Sequence, residues 1–62
     1  MQYTNSEIER WISEYIHSER DRKIMRLRLI DGLTYERIAE LIEMSVRQIK
    51  NIVGKYARKI HE

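Results

Sequence analysis

The stretch that decides the fold runs from Thr34 to Gly54 and reads TYERIAELIEMSVRQIKNIVG. Thr34 is placed to cap a helix, because its hydroxyl can accept a backbone N–H that the first turn leaves unpaired. Glu36 in that turn suits the positive end of the helix dipole. Ile38, Leu41 and Ile42 follow as an apolar face at helical spacing. Ser45 with Gln48 has the spacing of a second capping box. Beyond it Ile49, Ile52, Val53, Tyr56 and Ile60 form one stripe of a 3.6-residue period. Ala39 is small where the second helix must cross the first closely, and Met44 is placed to plug the turn. Two short helices with a brief break between them make a helix-turn-helix.

Working outward, Ile8, Trp11, Ile12, Tyr15 and Ile16 trace the apolar stripe of an amphipathic N-terminal helix. Its start is ambiguous, since Ser6 with Glu9 and Thr4 with Glu7 both have capping-box spacing. Ser18 with Asp21 caps a second helix through Ile24, Met25, Leu27 and Leu29 to Ile30. Arg20, Arg22, Lys23, Arg26 and Arg28 are expected on its solvated side, a second phosphate contact being the alternative. Asp31-Gly32 ends that helix, as glycine tolerates the left-handed backbone common just past a helix. The expectation is an all-α, compact four-helix domain, with helices near residues 6–17, 19–30, 34–42 and 46–60. Residues 1–62 form a single domain in this reading, with 1–18 as an additional N-terminal amphipathic helix.

Composition narrows the class. A core built from 62 residues buries only about 60% of the surface its unfolded chain exposes. Cysteine is absent, which removes disulfides and thiolate metal sites. His17 and His61 have no ligand-like neighbours and read as ordinary surface residues, so no metal and no cofactor are expected. No apolar run approaches the ~20 residues of a membrane span, and no signal-peptide core is visible. A soluble cytoplasmic protein without a membrane partner is the expectation. The net charge is +2, but residues 1–19 carry −3 and residues 45–62 carry +4. Positive charge gathered at one end suits a protein that meets phosphates with its last helix.

With Ile49, Ile52, Val53 and Tyr56 facing the core, Arg47, Asn51, Gly54 and Arg58 fall on the opposite face of the fourth helix. A recognition helix enters the major groove with its N-terminal residues at base edges. Val46, Arg47, Lys50 and Asn51 are therefore the candidate base-reading set. Arg and Lys donate to guanine, Asn pairs with adenine, and Val touches a thymine methyl. Thr34, Tyr35, Arg37, Ser45, Gln48, Lys55 and Arg58 are placed for the phosphate backbone.

Residues Leu33 to Ile42, followed by Met44-Ser45-Val46 and Ile49-Lys50, resemble the fourth conserved region of bacterial sigma factors, the extracytoplasmic-function type most closely. Arg22 to Leu29 resemble the lead-in helix of that region, and the likeness covers about Arg20 to Ile60. Similar modules occur in small phage and mobile-element regulators. The resemblance implies a bacterial or phage-encoded, sequence-specific binder of double-stranded DNA that acts as a small transcription regulator, not a whole sigma factor. It also permits a protein-interaction module that binds RNA polymerase or an anti-sigma-type partner. An enzyme is not expected, as no nucleophile–base pair or phosphate-binding glycine loop is present. The family usually has glycine in the turn where this chain has Glu43, and a left-handed non-glycine residue costs roughly 1 kcal/mol. A slightly altered turn is the expectation. One recognition helix makes few contacts, so a homodimer is expected, and the stripe of Ile8, Trp11, Ile12 and Tyr15 is read as core or as its contact.

Overall fold

The structure is a computed structural model that describes residues 3–60, the side chain at position 60 excepted. The expectations for Ile60 in the fourth stripe and for His61 lie outside the described residues. Four helices are present, α1 (Asn5–Tyr15), α2 (Glu19–Leu29), α3 (Tyr35–Ile42) and α4 (Val46–Ile60), with no strand among the described residues.

The ambiguous start of α1 resolves to Thr4. Its hydroxyl accepts from the Glu7 backbone N–H at 3.2 Å, and the Glu7 carboxylate accepts from the Thr4 backbone at 3.1 Å. Only this frame places apolar residues, Tyr3 and Ile8, at the two positions of a hydrophobic staple, and both border one surface cleft. The helix ends at Tyr15, two residues before the expected 17. Ile16 leaves it in an extended conformation and inserts fully buried into the core. Arg22 then reaches back from α2, donating to the carbonyls of Ser13, at 2.8 Å, and Ile16. Those groups have no partner within α1.

Ser18 caps α2 as expected, accepting from the Asp21 N–H at 3.3 Å. The Asp21 carboxylate does not return the bond; it turns inward. Leu29 closes α2 and Ile30 caps it, after which Gly32 takes φ +70. Thr34 caps α3 by accepting from Arg37 N–H at 3.1 Å, and Ser45 with Gln48 forms the reciprocal box that opens α4. The turn between them turns on Glu43. Glu43 itself adopts the left-handed conformation, φ 61 and ψ 46, and the Met44 N–H closes on the Ala39 carbonyl at 3.0 Å. The backbone at Glu43 is thus held in the conformation that glycine favours.

Ile8, Ile12, Ile16, Ile24, Met25, Ile38, Ala39, Ile49, Val53 and Tyr56 form the core. Helix α2 lies at its centre and packs on all three others, α3 packs on α4, and among the described residues α1 packs on α2 alone. Two expectations are corrected here. Leu41 is 48% exposed: at about 100° per residue it falls away from the face that Ile38, Ala39 and Ile42 share. Ile8 and Ile12 are no dimer contact, because they are 7% and 0% exposed within the chain's own core. Of the four residues assigned to that contact, Trp11 is half-buried and Tyr15 exposed, their ring centroids 5.8 Å apart.

Candidate nucleic-acid interface

The interface rests on how α4 is held. Its inner face is pinned by burial of Ile49, Val53 and Tyr56, and Tyr56 is also tied to α2. The Tyr56 hydroxyl donates to Asp21 Oδ2 at 2.8 Å, and Arg20 Nε approaches Oδ1 at 3.3 Å. That bond to Asp21 raises the Tyr56 pKa above its ordinary value, with burial and the nearby carboxylate charge acting in the same direction. A buried carboxylate is stable only when its oxygens are paired. Tyr56 therefore sets the roll of α4 against α2 as well as filling the core.

With the inner face fixed, the opposite side of α4 turns outward. Arg47, Lys50 and Asn51 are exposed, while Val46 is half-buried against the core. The structure brings these four together on the first turn and a half of α4. Gly54 continues the same face, and a Cβ placed there would meet nothing within 4 Å. No packing inside the chain requires glycine at this position.

The residues assigned to the backbone are spread more widely. Thr34 and Ser45 use their hydroxyls as helix caps, and Gln48 uses its Oε1 on Ser45, which leaves its NH₂ free to donate. Arg37 is exposed and 3.8 Å from Glu40, a solvated pair of little strength. Lys55 Nζ lies 5.1 Å from the Tyr56 ring and Arg58 Nε 3.3 Å from the Gly54 carbonyl. Tyr35 is half-buried at the start of α3.

Charge separates α4 from the rest. Among the described residues the ion pairs are Arg10–Glu14, Arg20–Asp21, Arg26–Glu9 and Arg37–Glu40, all outside α4. Among the described residues, none of Arg47, Lys50, Lys55, Arg58 and Lys59 has a carboxylate partner. The basic row of α2 is mixed: Arg20 and Lys23 are exposed as expected, while Arg22, Arg26 and Arg28 are half-buried and tied to other parts of the chain. Arg26 pairs with Glu9 of α1 at 2.7 Å. Arg22 caps α1, and Arg28 donates to the Leu33 carbonyl at 2.9 Å. Periodicity carries no signal for these ties, because their acceptors belong to other elements.

Residues 18–54, more than half of the chain, match the family described as Sigma-70, region 4. The chain belongs to this family. Region 4 domains are transcription-related helix-turn-helix domains that bind DNA and RNA polymerase. The match takes in α2, α3 and the first part of α4, so the region 4 assignment covers the turn at Glu43 and the whole candidate reading face. Helix α1 lies outside it. No curated protein and no solved structure matches the chain. Among the described residues no helix is long and apolar enough to cross a membrane.

Proposed function

We infer that this region 4 domain binds double-stranded DNA in a sequence-specific way, with α4 in the major groove, and acts as a small transcription regulator. One observation carries the reading: among the described residues none of the five basic side chains of α4 has a carboxylate partner, whereas Arg10, Arg20, Arg26 and Arg37 outside it each have one. Unpaired cations aligned on one helix attract a polyanion, and neutralised phosphates supply most of the affinity in such complexes. Base preference then falls to the exposed first turns of α4. The protein acts as a binding module and not as an enzyme. Two copies on half-sites about one helical turn apart would supply the contacts that a single helix lacks, with Trp11 and Tyr15 as the contact left open on α1. RNA polymerase or an anti-sigma-type protein as the main partner is the competing reading.

Selection from random duplex DNA tests this. Recovery of a defined motif, bound far more tightly than bulk DNA at moderate salt, is the expected result. Weak duplex binding with no enriched motif, even at low salt, overturns the reading and leaves a protein partner in its place.

A further inference from the structure

Three elements meet at one aromatic ring. The Arg28 guanidinium carbon of α2 lies 4.4 Å from the centre of the Tyr35 ring, and the Lys50 ammonium of α4 lies 5.9 Å from it. Arg28 is itself fixed, since its Nη1 donates to the Leu33 carbonyl in the connection leading to α3. Both cations fall within the range at which a ring face attracts positive charge. Neither has a carboxylate partner among the described residues. Two positive groups drawn to one ring with no anion between them leave positive charge open to an anionic ligand.

We propose that Arg28 and Tyr35 are positioning residues for Lys50, and that Lys50 so placed grips a DNA phosphate instead of reading a base edge. The inference rests on the DNA-binding reading above and sharpens the role of one residue in it. Tyr35 opens α3, the helix of the pair that crosses the sugar-phosphate backbone when its partner lies in the groove. A lysine held toward Tyr35 is therefore held toward the backbone. Its chemistry agrees, because an ammonium is a compact point charge without the flat two-pronged donor geometry that matches guanine. A free lysine side chain loses much rotamer freedom when it binds, and a ring that already restrains it reduces that loss. Base reading is left to Val46, Arg47 and Asn51.

The test joins two measurements on the full chain. In the free protein, NMR of the Lys50 side-chain methylene next to the ammonium should show an upfield ring-current shift. Tyr35→Phe, which keeps the ring, should retain that shift, and Tyr35→Leu should abolish it. In duplex binding, Lys50→Ala should weaken the selected site and a scrambled duplex by the same factor and lower the salt slope by about one. Tyr35→Leu should add little in the Lys50→Ala background. A Lys50 shift at its random-coil value overturns the placement. A Lys50→Ala loss confined to one base position, with an unchanged salt slope, makes Lys50 a base reader and overturns the inference while DNA binding stands. Absence of duplex binding by the wild type overturns both.

Discussion

Replacing Tyr56 by phenylalanine removes one oxygen atom and tests how α4 is held in place. The hydroxyl donates over 2.8 Å to Asp21 Oδ2, and both residues are 7% exposed. A hydrogen bond to a charged partner is worth about 1.5–3 kcal/mol. Arg20 would remain on the other carboxylate oxygen, but its side chain is 59% exposed and water weakens the pair. The expected loss is about 2 kcal/mol, against a total of about 3–9 kcal/mol for a domain of this size. The midpoint of thermal unfolding should fall by about 15 °C. Urea unfolding followed by helical circular dichroism gives the difference directly. The effect also has a pH signature. The bond to Asp21, burial and the carboxylate charge all raise the Tyr56 pKa in the fold, against a lowering by Arg20. The fold therefore favours the neutral phenol. Its stabilisation is complete below the ordinary tyrosine value near 10 and is lost as pH climbs through the raised folded value. Wild type and Tyr56→Phe should converge in that alkaline range. A variant within about 0.5 kcal/mol of wild type at neutral pH, or a gap that persists unchanged in alkali, refutes the reasoning.

Other substitutions probe the turn, the reading face and the assembly. Glu43→Gly relieves a left-handed backbone and should stabilise by a few tenths of a kcal/mol, about 0.5 at most, after the greater freedom of glycine in the unfolded chain is counted; a lower urea midpoint contradicts the strain assigned to Glu43. Gly54→Ala should stabilise the free domain by nearly 1 kcal/mol, because the added methyl meets nothing within 4 Å. It should also weaken duplex binding, and an affinity equal to wild type removes Gly54 from the interface. Sedimentation should show a dimer that Trp11→Glu dissociates, and a monomer at high concentration ends the dimer proposal.

Much of the fold was legible because its signals are local. Thr34, Ser45 and Gln48 each bond within three residues of their own position, and the stripe Ile49, Val53, Tyr56 follows from helical period alone. The errors lie where a side chain answers to something distant. Asp21 has the spacing of a cap partner, but its carboxylate is used 35 positions away on Tyr56. Arg22, Arg26 and Arg28 alternate with apolar residues and read as a solvated face, yet each long side chain finds an acceptor on another element. Ile16 continues the α1 stripe by spacing, but core burial pulls it out of the helix. Ile8 and Ile12 read equally well as a dimer contact or a core, because a stripe shows that a face is apolar and not what covers it. The outward face of α4 at Arg47, Lys50 and Asn51 was legible, since it is what remains once the inner stripe is assigned. The platform of Arg28 and Tyr35 under Lys50 was not.

The central claim is that the first turns of α4 select DNA sequence. Its most direct test is the affinity of wild type, Arg47→Ala and Asn51→Ala for a selected duplex and for every single-base variant of it. Each substitution should cost about 1–3 kcal/mol on the selected site and erase the preference at one base position. Uniform losses across all duplexes, or none, would contradict sequence reading by α4.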